Sequence, residues 1–168
     1  MFTSERLQFR KIEKDDFKEL HEIFSDEEAM RYICNVKSEQ ETLNWIDDAI
    51  KSYEVNIFGP WAVLLKNTKD FIGYCGLYLQ KDIDSVDEIE LLYGYKKQYW
   101  NMGYATESAQ KIYKYVKTKF KMNRIITLIE IGNEQSENVV QKLGMTFEKT
   151  VKKWGRNYKL YSTEESRV

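Results

Sequence analysis

"VDEIELLYGYKKQYWNMGYATESAQ", Val86 to Gln110, holds the junction on which the fold turns. Its first half, "VDEIELLYGYKK", is a strand-like run of apolar and aromatic residues. Beyond it, Ala105, Ala109, Ile112, Val116 and Phe120 recur at helical spacing, so a helix starts near Gly103. Between them "QYWNMGYATES", Gln98 to Ser108, sets one glycine among aromatic and small polar residues. A helix start leaves backbone N–H groups without helical partners and adds partial positive charge, which suits a phosphate. Gly103 lets such an anion approach the backbone, and Ala105 and Thr106 keep the next turn small. The same glycine also reads as a turn residue and nothing more. The stretch is neither a P-loop nor a three-glycine dinucleotide fingerprint.

Upstream, "RLQFRKI" alternates Leu7 and Phe9 with polar residues as a strand does. From Lys14, Phe17, Leu20, Ile23 and Phe24 share one helical face, with Asp15 available as a cap. A second helix follows, with Leu43, Ile46, Ile50 and Tyr53 at helical spacing. "PWAVLLK" and "DFIGYCGLYLQ" flank the polar turn "NTKD" and are expected to pair antiparallel. Downstream, the apolar run "RIITLIEI" suits a central strand covered on both faces. "NEQSENVVQKLG" is a short helix capped by Asn133 and closed by Gly144, and the tail folds at "KWGRN" into a last hairpin. The order of strand, two helices, three strands, helix, strand, helix and two strands predicts an α/β fold. Its central mixed sheet carries helices on both faces.

The 168 residues suffice for a single domain, expected over 1–168. One proline and no low-complexity stretch leave no linker, and there is no internal repeat. With 26 Lys and Arg against 27 Asp and Glu the chain is nearly neutral, which speaks against a nucleic-acid partner. No apolar run approaches the roughly 18 residues that cross a bilayer, and the N-terminus lacks a signal peptide's apolar core. A cytoplasmic protein without membrane contact is therefore expected. Cys34 and Cys75 are far apart and in no metal-ligand spacing, so neither a disulfide framework nor a metal site is expected.

Taken together, "SERLQFRKI", "EIELLYGY", "QYWNMGYATESA" and "NEQSENVVQKLGM" resemble, in order and spacing, the GNAT superfamily of acetyl-CoA-dependent N-acetyltransferases. The resemblance spans nearly the whole chain and is strongest to the RimJ/RimL-like branch, whose members acetylate protein N-termini or small amines. It implies the acyl-CoA N-acyltransferase fold and acetyl-CoA as cosubstrate. The segment Trp100–Ala105 is similar to the family's pyrophosphate signature, [QR]-x-x-G-x-[GA], with Trp100 where Gln or Arg is commoner and Asn101 where this branch usually has glycine. It implies that the amides of Asn101, Met102, Gly103, Tyr104, Ala105 and Thr106 hold the pyrophosphate. Tyr93 and Tyr95 match positions whose backbone pairs with the pantetheine arm where two parallel strands splay. Asn133, Ser136 and Asn138 match a polar cluster on the cofactor's arm, and Lys142 with Gly144 matches the closing signature, Met145 replacing Phe. Asn133 also reads as a plain helix cap.

Acetyl transfer requires an uncharged amine, whereas an alkyl amine with a pKa near 10.4 is mostly protonated at pH 7. A base must take that proton, and Glu90 matches the family's frequent carboxylate position, with Glu88 as reserve and solvated strand carboxylates as the alternative reading. The family's usual tyrosine general acid has no counterpart in "NEQSENVV", so Ser136 or a nearby Tyr is the candidate. His21 is the sole histidine and neither cysteine has an adjacent basic motif, so direct transfer in a ternary complex is expected rather than an acyl-cysteine. "QKDIDSVDEIE" gathers Asp82, Asp84 and Asp87 beside the proposed cleft and could draw in a cationic amine, or form a solvated loop. Tyr32, Trp45 and Trp154 are candidate walls of the acceptor pocket, or core. The expected partner is an amine acceptor, small molecule or protein N-terminus; the protein is a monomer or homodimer. The competing reading is a non-catalytic acyl-CoA-binding or sensor module.

Overall fold

The computed structural model describes residues 1–163. In chain order its elements are β1 (Phe2–Thr3), β2 (Leu7–Lys11), α1 (Phe17–Phe24), α2 (Glu27–Met30), α3 (Glu39–Val55), β3 (Pro60–Leu65), β4 (Phe71–Ile83) and β5 (Val86–Tyr95). There follow α4 (Tyr104–Phe120), β6 (Ile126–Glu130), α5 (Glu134–Lys142), β7 (Thr146–Lys153) and β8 (Arg156–Ser162). The strands form one eight-stranded sheet in the order β1-β2-β3-β4-β5-β6-β8-β7. Every neighbouring pair is antiparallel except β5 and β6.

Helices cover both faces of this mixed sheet, as the element order predicts. Ala109, Ile112 and Val116 of α4, with Val139 of α5, pack on Leu7, Phe9, Val63, Leu77 and Leu91. Leu20, Ile23 and Phe24 of α1, Met30 of α2, and Ile46 and Ala49 of α3 pack on Ala62, Leu64 and Tyr74 from the other side. The central strands β3, β4 and β5 therefore feed side chains to two apolar layers.

Three local expectations are corrected. The helix expected from Lys14 begins with a single 3-10 turn, Lys14–Asp16, and α1 starts at Phe17. Asp16, not Asp15, organises that turn: its carboxylate accepts from the Glu13 amide at 2.8 Å and pairs with Arg10. On α3 the buried stripe is Thr42, Ile46 and Ala49, while Leu43 is 42% exposed. Ser38 and Glu41 fix this register through reciprocal side-chain-to-backbone bonds of 3.2 and 2.8 Å, a capping box. β1 and α2, of two and four residues, are additions to the expected order.

The parallel pair β5 and β6 has a single register point, Glu90 opposite Ile126. Beyond it the strands separate, and the side of β5 facing β6 opens. The Lys96 amide donates to Ile72 on β4. Backbone alternation then turns Tyr95 and Tyr93 the other way, toward the gap.

Candidate active site

Two clefts meet at this gap. One, of about 750 Å3, lies over the N-terminal end of α4 and the side of α5. Tyr95, Asn101, Gly103, Tyr104, Ala105, Thr106, Asn138 and Lys142 line it. The other, of about 760 Å3, has Glu90 in its wall together with Tyr32, Trp45, Tyr74 and Trp154. Tyr93, Asn133 and Ser136 belong to both, as do Tyr32 and Ile33.

The helix-end cleft follows from local backbone chemistry. Gly103, at φ 80° and ψ 4°, occupies the cap position of α4 and has no side chain to cap with. By contrast α5 is capped by Asn133, whose carbonyl oxygen accepts from the Ser136 amide at 3.2 Å. The first intrahelical bond of α4 runs from Glu107 N–H to Gly103 C=O, so the amides of Gly103 to Thr106 lack helical acceptors. Asn101 has φ 60°, a left-handed conformation that asparagine tolerates among L-residues.

The loop is clamped from outside. Arg6 donates to the Met102 carbonyl at 2.9 Å and to Glu107 at 2.7 Å, and its guanidinium lies 4.4 Å from the centre of the Tyr104 ring. Trp100 ties the loop to β5 by donating its indole N–H to the Tyr95 carbonyl at 2.8 Å. Met102 itself is exposed and lines neither cleft; only its carbonyl is engaged. The Arg6–Glu107 clamp joins residues 101 apart and carries no local sequence signal.

At the junction, the Tyr93 hydroxyl donates to the Ser136 carbonyl at 3.4 Å, and the Asn133 amide donates to the Ser136 hydroxyl oxygen at 3.0 Å. That second bond leaves the Ser136 proton free to be donated elsewhere. The side chain of Tyr95 points into the core, where its hydroxyl pairs with Ser108, so only its backbone faces the gap.

Glu90 is 7% exposed. One carboxylate oxygen accepts from Gln80 Nε2 at 2.6 Å, and the other from the Leu128 amide at 3.2 Å across the opening strands. Burial pushes its pKa up to about 7 despite these bonds. Gln80 is held in turn by Lys153, whose ammonium donates to Gln80 Oε1 at 3.3 Å and to the Lys81 carbonyl at 2.6 Å. Neither Gln80 nor Lys153 is singled out by the sequence, because both reach Glu90 only through strand pairing.

Glu88 lies outside both clefts. It shares the strand face of Glu90 but sits nearer the hairpin end, where Arg124 engages both its oxygens at 2.7 to 3.1 Å and also binds Glu148 at 3.0 Å. The structure does not bring the reserve candidate Glu88 to the site: its carboxylate lines neither cleft and is ion-paired with Arg124. Asp82, Asp84 and Asp87 also line neither cleft, and Asp84 and Asp87 are paired with Lys149 and Lys81 at 2.7 and 2.5 Å. Cys34 is half-buried in the aromatic cleft, while burial pushes the Cys75 thiol well above its ordinary range. His21 contacts Thr42 at 2.9 Å and lines neither cleft.

The family description "Acetyltransferase (GNAT) domain" matches residues 6–146. The uncharacterized protein YkkB of Bacillus subtilis is 30% identical over 163 residues, covering 95% of this chain and 92% of YkkB. A crystal structure of a GNAT-family acetyltransferase from Bacillus anthracis superimposes with a TM-score of 0.78 at 28% identity, covering 95% of this chain and 94% of that one. A spermidine N-acetyltransferase from Vibrio cholerae, in complex with CoA and spermine, shares the fold at a TM-score of 0.75 and 16% identity, with 95% of each chain covered. The uncapped helix, the parted strands and these likenesses agree: the chain belongs to the GNAT family of N-acetyltransferases.

Proposed function

We propose that this enzyme transfers the acetyl group of acetyl-CoA directly to a primary amine, with both substrates bound at once. The observation that carries the reading is the meeting of the two clefts at Tyr93, Asn133 and Ser136. One offers unpaired helix-start amides, the other a buried carboxylate. The amides of Asn101, Gly103, Tyr104, Ala105 and Thr106 are assigned to the pyrophosphate, without that of Met102, and Lys142 and Asn138 line the same cleft from α5. The backbone of Tyr93 and Tyr95 receives the extended arm as an added strand would be received.

Glu90, with a pKa near 7, accepts the amine proton through water. The amine nitrogen then bonds to the thioester carbon, and the carbon–sulfur bond breaks. The nitrogen then gives up its second proton, and Ser136, whose hydroxyl proton the Asn133 bond leaves available, relays it: the departing sulfur takes the Ser136 proton and Ser136 regains one from the nitrogen; the Tyr93 hydroxyl is the neighbouring donor. Calorimetry with acetyl-CoA, and thiol release with a panel of amines and peptide N-termini, test the two halves. Binding with no thiol release for any acceptor would favour the non-catalytic module, and no binding would overturn both readings.

A further inference from the structure

The aromatic cleft carries a charge pattern unlike that expected for a polyamine. Its walls hold Lys37, Lys81, Lys153 and Arg156 against two carboxylates, Glu41 and Glu90. Glu41 is engaged at the start of α3, and Glu90 is the buried base. Lys81 and Arg156 have carboxylate partners, Asp87 and Glu130. The Lys153 ammonium is held instead by the neutral oxygens of Gln80 and Lys81 and lies 4.8 Å from the centre of the Trp154 ring.

A second observation is independent of charge. Tyr158, 2% exposed, lines the same cleft, and its hydroxyl has no hydrogen-bond partner among the described residues. An unpartnered buried hydroxyl carries a desolvation cost that a ligand bonding to it would recover. Trp154, packed edge-on against Tyr158 with ring centres 5.8 Å apart, is itself 58% exposed and lines the same cleft.

Another part of the cleft is aromatic. Phe24, Trp45 and Tyr74 form a three-ring cluster with centroid separations of 4.9, 5.4 and 5.2 Å. Arg156 closes one side by donating from β8 to the Arg31 carbonyl at 3.1 Å and to Asn35 at 3.3 Å.

Resting on the acetyl-transfer reading above, we propose that the acceptor is a small amine carrying a carboxylate and an apolar body, as an apolar α-amino acid does. Tyr158 and Lys153 receive the carboxylate oxygens, and the ring cluster receives the body. A polycation meets like charges there with no free carboxylate to offset them.

The test measures thiol release from acetyl-CoA with four acceptors: phenylalanine, phenethylamine, spermidine and a short peptide with N-terminal phenylalanine. The expected kcat/KM for phenylalanine exceeds that for phenethylamine by about tenfold or more, the scale of a hydrogen bond to a charged group, and spermidine is poorest. Tyr158→Phe and Lys153→Met each reduce the phenylalanine-to-phenethylamine ratio toward one. Tyr158→Phe melts no lower than the parent, since no intramolecular bond is lost. Preference for phenethylamine or spermidine overturns the charge selection and leaves acetyl transfer standing. Preference for the peptide overturns the small-acceptor assignment. Thiol release with none of the four overturns the inference, whereas the reading beneath it falls only if no acceptor of the wider panel releases thiol.

Discussion

Replacing Gln80 by Leu removes the 2.6 Å donor to Glu90 while keeping a side chain of similar size on β4. A hydrogen bond to a charged group is worth about 1.5–3 kcal/mol, and one pKa unit corresponds to about 1.4 kcal/mol. The bond favours the ionised carboxylate, so its loss raises the Glu90 midpoint by about one to two units from its value of about 7. At pH 7 the fraction of enzyme holding the free base falls from about one half to between about one tenth and one hundredth. Activity at that pH drops accordingly, about five- to fifty-fold. The assay is kcat/KM against pH, with the same acceptor for parent and variant so that the amine's own titration cancels. An alkaline displacement of the lower limb, with the plateau recovered at high pH, is the expected result. A limb that stays in place, or an equal loss at every pH, refutes the reasoning and makes Gln80 a packing residue.

Other consequences are open to simple measurement. Burial raises Glu90 from the ordinary carboxylate value of 4.5 to about 7, so between these limits the folded state holds a proton that the unfolded chain has released. Stability therefore falls as pH rises through that window, by up to about 3 kcal/mol, and melting curves of Glu90→Gln should show a flatter dependence there. Gly103→Asp places a side chain at φ 80° and a negative charge where the helix-start amides converge, so calorimetry should register at least a tenfold loss of acetyl-CoA affinity. Arg124→Met leaves Glu88 and Glu148 without their shared cation; the melting temperature should fall while the lower limb of the pH profile stays where it was.

Several of these features are legible along the chain because they are local. The Asn133 cap, the Gly103 junction and the periodic faces of α1 and α4 each depend on residues within one or two helical turns. Pairs distant in sequence decide the rest. Glu88 and Glu90 are two residues apart and share a strand face, yet Arg124, 36 residues from Glu88, withdraws one of them from the site. Gln80 meets Glu90 through the β4–β5 pairing, and Lys153 reaches Gln80 from 73 residues away. The acidic run around Asp84 looks like an attractant for cations in one dimension. In three dimensions Lys81 and Lys149 partner Asp87 and Asp84, while the cleft itself receives Lys153 and Arg156. Asn101, a departure from the pattern the sequence resembles, takes a left-handed backbone conformation that asparagine tolerates.

The central claim is that Glu90 takes the amine proton where the two clefts join. It is tested most directly by the pH profile of kcat/KM for Glu90→Gln, measured as thiol release with acetyl-CoA and a working acceptor. The account predicts a fall of about a hundredfold or more, the scale of general-base catalysis, with the limb near pH 7 gone and acetyl-CoA affinity retained. A variant that keeps both its rate and that limb would contradict it.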